Sequence, residues 1–266
     1  MNFSFFYHIP LFFGGLIMFA FLLAALEVGY RIGFGRRKKW RDAETGGGTV
    51  ALSTMFALLG LILAFTYASG VSRFEDRKQV VIEESNALGT AFLRAGLIAE
   101  PGGKALQETI LAYAKTRVIP STGRTLSHDE RMEILNNTIQ AQEKLWPTLE
   151  EALRQGKPGA IESSMIAAMN DVLDMHTIRM AALIDKLPNA VIWMLIFISA
   201  ATIIVTGFNA GLSGKISRWR TATLAMVMTG VMLMILDYDR PRDGFIRVSQ
   251  DSLITVIAEM EKNLAK

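Results

Sequence analysis

The histidines are the first candidates for metal binding or acid-base catalysis, but their spacing supports neither role. His8, His128 and His176 lie far apart, and none forms a spacing such as H-E-x-x-H that would bring two rings to one metal. The absence of cysteine excludes disulfides, thiolate catalysis and cysteine-based metal sites. No G-x-x-x-x-G-K-[ST] loop is present to hold phosphates. We therefore expect no enzyme, no cofactor and no metal.

Acidic residues cluster in the sequence DYDRPRD, directly after the last apolar segment. Asp237, Asp239 and Asp243 could together hold a cation. They could instead pair with arginines where helices leave a membrane, and we favour these pairs. Glu27 and Arg31, one helical turn apart, can pair in the same way at the end of the first apolar segment. The predicted charged boundary network comprises Glu27, Arg31, Arg73, Arg77, Asp237, Asp239 and Arg240.

Small and hydroxylated residues recur at helical spacing in two apolar segments. Small residues let helices approach closely, and one such stripe consists of Ser53, Ala57, Gly60, Ala64 and Ala68. Thr66, Ser69 and Arg73 fall on the opposite face of that helix. A second stripe contains Ser199, Thr202, Thr206 and Asn209. We favour helix packing for the small stripe, and leave helix packing and a water-filled path open for the hydroxylated residues.

These residues are positioned by four segments that resemble membrane spans. A helix needs about 20 apolar residues to cross the hydrocarbon core, and the candidates are 9–30, 50–72, 190–212 and 219–236. The first lacks a basic start and a small-residue cleavage site, so we expect it to stay in the mature chain. No charge lies at the centre of any span, which argues against proton-coupled transport and fits a passive pore or a non-conducting protein.

Residues 73–189 carry 14 basic and 16 acidic side chains and predict a water-facing helical bundle. The second span continues into it without a break until about Leu97. Ser127 and Glu130 form a capping-box pattern, and a helix is expected to end near Trp146. The last bundle helix has a predicted packing seam of Ile166, Met169, Leu173, Thr177, Met180, Ile184 and Leu187.

The predicted organisation has four parts. Residues 1–72 form a transmembrane hairpin with a basic loop, and residues 73–189 the extramembrane bundle. Residues 190–238 form a second hairpin, and residues 239–266 a charged segment with an amphipathic helix whose apolar face needs the bundle or the membrane as its partner. The fold class is an all-α integral membrane protein.

Charge distribution indicates an orientation. The loop RIGFGRRKKWRDAETGGG holds six basic and two acidic residues, so the positive-inside rule places it in the cytoplasm. The N-terminus and the bundle then lie outside, in the periplasm, with the protein in the inner (plasma) membrane of a bacterium. The net charge of only +3 gives no basic face for nucleic acid.

Several stretches, taken in order, resemble a large family of bacterial membrane proteins described as bestrophin-like. They are EVGYRIG, LLGLILAFTYASGVSRFEDRKQVVIEESNALGTAFLRA, NDVLDMHTIR and DYDRPRDGFIRVSQDSL. The resemblance implies a four-span homo-oligomer in membrane lipid, related to pentameric bestrophin anion channels. It implies an apolar neck on the second span, ahead of an arginine-aromatic pair like Arg73-Phe74, and makes Leu61 and Phe65 constriction candidates. No acidic run resembles the bestrophin calcium clasp.

Two functions remain open from the sequence. The first is an oligomeric passive ion channel, selective for anions if it conducts, with pore candidates Leu61, Phe65, Thr66 and Ser69. The second is a non-conducting scaffold or envelope sensor whose bundle binds a protein partner.

Overall fold

The computed structural model describes residues 10–40, 47–119, 127–154, 159–214, 216–240 and 244–265, which form α-helices and no strand. The helices are α1 (Leu11–Trp40), α2 (Gly47–Ala95), α3 (Gly102–Arg117), α4 (His128–Glu143), α5 (Leu145–Arg154), α6 (Ala160–Ile184), α7 (Asn189–Ser213), α8 (Arg218–Tyr238) and α9 (Asp251–Leu264). The predicted all-α class is confirmed.

Four helical stretches are long and apolar enough to cross a membrane, as predicted. They lie within Leu11–Arg37, Gly48–Ala95, Ala160–Ser213 and Arg218–Tyr238. Helix α2 is continuous over 49 residues and ends at Ala95, close to the expected end at Leu97. The second span therefore continues into charged sequence without a turn.

The chain divides into two compact units. The membrane unit contains residues 10–74, 186–240 and 244–246, and the bundle unit contains residues 75–185 and 247–265, within the described parts of the chain. Helix α2 contributes residues to both. Each unit has its own apolar core.

In the membrane unit, glycines bring α1 and α7 into close contact. The glycines are Gly29, Gly33, Gly207 and Gly211, two G-x-x-x-G motifs on facing helices. A β-carbon on any of them would collide with a backbone carbonyl oxygen of the other helix, those of Ile204, Phe208, Leu26 and Tyr30 respectively. Without side chains between them, the two backbones meet directly, which is a common mode of helix association in lipid.

The bundle unit is built around apolar side chains of α2, α3, α5, α6 and α9. Phe92, Tyr113 and Met169 are among its largest fully buried residues. In α9, Leu253 and Met260 are buried in the same core, so the apolar face of this helix has the bundle as its partner. The Ser127–Glu130 capping box is present at the start of α4, as predicted.

Two details of the bundle differ from prediction. The break predicted near Trp146 lies at Lys144, and Pro147 is within the first turn of α5, where its missing N–H is not needed. The buried face of α6 is Met165, Ala168, Met169, Val172 and Arg179. Thr177 and Ile184 of the predicted seam are exposed, because the buried Arg179 occupies the inward position.

Candidate functional site

The apolar part of α2 is the span least covered by its own chain. Only 6% of its 18-residue apolar stretch is buried, compared with 28%, 39% and 33% of the corresponding stretches in the other three spans. Leu59, Thr66 and Gly70 form its buried edge. Ile62, Leu63 and Tyr67 beside this edge are partly buried. The opposite side is open and can contact lipid, water or another protein chain.

The predicted pore residues divide between these two sides of α2. Leu61 and Phe65 are 53% and 66% exposed, and Ser69 is also exposed. Thr66 is buried, and its hydroxyl donates to the carbonyl oxygen of Ile62 at 2.8 Å. Three of the four candidates therefore lie on the open side of α2, and their role in a pore stays a prediction.

The predicted small-residue stripe also lies on the open side. All five members are exposed: Ser53, Ala57, Gly60, Ala64 and Ala68. A β-carbon on Gly60 would meet nothing within 4 Å. Because no helix among the described residues packs on this stripe, we expect its packing partner to be a helix from another chain.

The hydroxylated stripe of α7 behaves differently, because it is turned inward. Ser199 and Thr202 are fully buried. The Thr202 and Thr206 hydroxyls donate to the carbonyl oxygens of Ile198 and Thr202 at 2.8 and 2.7 Å. These bonds favour helix packing over a water-filled path.

The carboxylates after α8 accept hydrogen bonds from backbone N–H groups. Asp237 accepts from Phe245 and Ile246 at 2.7 and 3.0 Å, and both oxygens of Asp239 accept from Leu187 at 3.1 and 3.0 Å. Asp243, the third acid of the candidate cation site, lies outside the described residues. Asp237 and Asp239 thus order the segments beside the membrane ends of α7 and α8.

Other members of the predicted boundary network are placed as follows. The Glu27 carboxylate and the Arg31 guanidinium are 2.9 Å apart, with Arg31 exposed and Glu27 partly buried. Arg73 donates to the carbonyl oxygen of Ser69 at 3.5 Å, and Arg240 is buried. The ring of Phe74, next to Arg73, packs edge-on against Tyr238 with centroids 5.6 Å apart.

A cluster of buried charged side chains lies inside the bundle unit. Of its members, only Arg77 was among the site residues predicted from the sequence. Glu84 of α2 is 1% exposed and forms ion pairs with Arg117 of α3 at 2.5 Å and with Arg179 of α6. Arg77 is also buried and donates to the carbonyl oxygens of Ala182 and Asp185 at 3.0 and 2.6 Å. It satisfies carbonyl groups at the C-terminal end of α6, where a cation is favourable.

His176 extends this cluster towards α3. Its Nδ1 lies 3.1 Å from Arg117 Nη1 and 3.3 Å from the Tyr113 hydroxyl. Because a guanidinium can only donate, Nδ1 must be the acceptor and Nε2 carries the ring proton. Burial, and then the Arg117 guanidinium, lower the pKa of His176, and burial raises the pKa of Tyr113 to about 12. Both rings are therefore neutral at pH 7.

We expect a His176→Asn variant to lose part of the pH dependence of stability. The pKa of folded His176 lies below the unfolded value of about 6.5, so the unfolded chain binds the proton first as the pH falls. The contribution of His176 to stability is thus complete above about pH 6.5 and is lost as the pH falls below it, whereas asparagine keeps an acceptor but does not titrate. Melting temperatures of both proteins between pH 5 and 8 test this, and parallel curves would contradict it.

Among the described residues, no group of three His, Asp or Glu side chains could hold a metal ion.

A model of the Bestrophin-like domain matches residues 16–253. The chain belongs to the Bestrophin-like family. Its fold matches solved structures of a bacterial bestrophin homologue from Klebsiella pneumoniae. One has a TM-score of 0.62 at 14% identity, covering 92% of this chain and 96% of that one. A point variant of the homologue has a TM-score of 0.65 at 13% identity, covering 92% and 98%.

A further solved structure, described only as a membrane protein, has a TM-score of 0.62 at 14% identity, covering 93% of this chain and 97% of that one. No curated protein gives a match. The bestrophin-like architecture predicted from the sequence is confirmed along nearly the whole chain.

Proposed function

We propose that this bestrophin-like chain forms a homo-oligomeric passive ion channel, with α2 helices from several copies around a shared axis. The observation that supports it is the open side of α2, because only 6% of its apolar stretch is buried against the described parts of its own chain. Small residues on that side allow close approach of a second helix. Family membership supports the same assignment.

In this channel, Leu61 and Phe65 form the apolar constriction, and Ser69 lies one turn further along α2. Both apolar side chains are adjacent to the small-residue stripe on the helix surface, so packing through the stripe brings them towards the axis. Apolar constrictions control conduction by excluding water. Arg73, one turn beyond Ser69, favours anions over cations.

Substitution of the constriction residues tests this function. In liposomes containing purified protein, we expect Phe65→Ala and Leu61→Ala to change conductance several-fold, because each removes apolar volume from the constriction. The matched control is Phe197→Ala on α7, which removes the same side chain at an exposed position outside the proposed constriction and should leave conductance unchanged. A folded oligomer with no conductance above empty liposomes would overturn the proposal.

We also propose that the loop after α1 is cytoplasmic and the bundle periplasmic, from the density of basic residues. With no native cysteine, single cysteines report orientation directly. We expect Asn137→Cys, exposed on α4, to react with an impermeant maleimide in intact cells, and Arg36→Cys to react only after lysis. The opposite pattern would place the bundle in the cytoplasm.

A second candidate is a non-conducting scaffold or sensor whose bundle binds an envelope partner. The continuity of α2 favours it, because one unbroken helix supplies residues to both the membrane unit and the bundle unit. For this function, Phe65→Ala should alter stability but produce no change in ion flux.

A further inference from the structure

Four arginines lie at one end of the membrane unit, where α1 finishes and α8 begins. Arg36 and Arg37 are near the C-terminal end of α1, and Arg218 and Arg220 are in the first turn of α8. The candidate spans have the same limits, because the first ends at Arg37 and the fourth begins at Arg218. These four residues, the arginine patch, therefore lie at a membrane boundary.

A contact between α1 and the end of α7 brings the two halves of the patch together. The Arg37 guanidinium lies against Gly214, where an added β-carbon would collide with Nη1 and Cζ. Three residues separate Gly214 from Arg218. Because a chain advances at most about 3.6 Å per residue, the Cα atoms of Gly214 and Arg218 are within about 14 Å. The long side chains of Arg37 and Arg218 can therefore contact the same molecule.

The arginine patch differs from other arginines of the membrane unit, because it has no protein partner among the described residues. None of its four guanidiniums forms an ion pair or a hydrogen bond with a described residue. By contrast, Arg31 pairs with Glu27, and Arg73 donates to the carbonyl oxygen of Ser69. Each guanidinium of the patch thus has donors available for an anion.

The charge around the patch is positive. The loop after α1 holds six basic residues and two acids, Asp42 and Glu44, which lie outside the described residues. The loop before α8, residues 209–220, adds three basic residues and no acid. The first turn of α8 has no acidic residue, and the Ser217 side chain forms no cap, so the N-terminal end of this helix also favours an anion. Most of these basic residues have no acid to neutralise them.

Apolar side chains next to the patch limit the type of anion. Trp219, between two of the arginines, is 73% exposed, as expected of an indole at a membrane interface. Phe34, one turn before Arg37, and Val227, two turns after Arg220, are exposed on the spans. Guanidiniums bind phosphate oxygens with paired hydrogen bonds. A free phosphate would use only the arginines, whereas a phospholipid would also cover the apolar side chains.

We propose that the arginine patch binds the headgroup of an anionic phospholipid. Arg37 and Arg218 donate to its phosphodiester, and its acyl chains lie along Phe34 and Val227. Basic residues at a membrane surface attract anionic lipids by this mechanism. The site does not depend on whether the protein conducts ions.

Trp219 allows the bound lipid to be detected at the patch itself. The full-length protein is placed in phosphatidylcholine vesicles that contain a small fraction of a brominated lipid, which quenches an indole on contact. The difference between the protein and its Trp219→Phe variant gives the signal of Trp219 alone. Brominated phosphatidylglycerol should quench this signal several-fold more than brominated phosphatidylcholine. Equal quenching by the two lipids would overturn the proposal.

Variants of the patch connect this preference to its arginines. Arg37→Gln and Arg218→Gln should each lower the relative affinity for phosphatidylglycerol about fivefold, and both should fold, because neither arginine pairs with a described residue. The matched control is Arg31→Gln on the same helix, where Glu27 already neutralises the charge, and it should leave the preference unchanged. An unchanged preference in both patch variants would overturn the proposal.

A soluble headgroup separates a lipid site from a general phosphate site. Glycerol phosphate carries the phosphate without acyl chains, so it should not displace phosphatidylglycerol from Trp219 when added at the same concentration. Displacement by glycerol phosphate would show that the patch binds free phosphate esters, and would also overturn the proposal.

Discussion

Replacing Gly33 by leucine is expected to prevent the membrane unit from folding. Even a β-carbon added at this residue would collide with the carbonyl oxygen of Phe208. A leucine side chain would force α1 and α7 apart along their whole contact. Even Gly33→Ala should destabilise the protein by ~3 kcal/mol, the upper range for overpacked sites. The yield of folded protein in detergent and its thermal unfolding measure the effect.

The control lies two residues further along the same helix. A β-carbon on Gly35 meets nothing within 4 Å. Alanine is a better helix former than glycine by about 0.5 to 1 kcal/mol, so Gly35→Ala should be neutral or slightly stabilising. The two alanine variants should therefore have effects of opposite sign or very different size. Equal effects would show that the glycines act through helix propensity and not through contact between α1 and α7.

Replacing Glu84 by glutamine is expected to destabilise the bundle unit by about 3 to 5 kcal/mol, the usual cost of removing one partner from a buried ion pair. Glutamine is nearly the same size, so the loss comes from charge. Without the carboxylate, the Arg117 and Arg179 guanidiniums, 6% exposed each, would face each other unneutralised. Chemical denaturation of the purified protein, followed by circular dichroism, gives the free energy.

The neighbouring Glu83 provides the comparison for this prediction. It is exposed and accepts from Gln79 at 2.9 Å, so Glu83→Gln should change stability by less than about 0.5 kcal/mol. The double variant Glu84→Gln/Arg117→Gln should recover part of the loss, because it removes one of the two opposed cations. If the double variant were as unstable as the sum of the single ones, charge repulsion would not be the cause.

Local chemistry made the span positions and the continuity of α2 predictable. Long apolar runs have few alternatives to membrane helices, and α2 has neither a proline nor a turn cluster between Val71 and Ala95. The capping box at Ser127 was predictable for a similar reason, because its two hydrogen bonds lie within one turn.

Features that depend on distant contacts were not predictable in the same way. Hydrophobic periodicity placed Ile184 on the packed face of α6, yet it is 72% exposed while Arg179 is buried. An arginine takes the inward position only because Glu84, 95 residues earlier, is its partner. Glu83 and Glu84 are adjacent in the sequence, and nothing local indicates which of them is buried.

The small-residue motifs show the same limit. The sequences EVGYRIG and TGFNAG contain the two glycine motifs of α1 and α7, and the four-residue spacing could have identified them. The stripe on α2 has the same kind of spacing but is exposed in its own chain. Spacing identifies a surface suited to close packing, but the identity of the partner helix is a property of the folded chain or of the assembly.

The glycine crossing also constrains how the protein is made. Gly33 and Gly211 are roughly 180 residues apart in the sequence. At translation rates of about 5 to 20 residues per second, α7 follows α1 from the ribosome by roughly 10 to 40 seconds. During that interval the glycine face of α1 has no α7 to pack against, so this contact forms only after the second hairpin has been made.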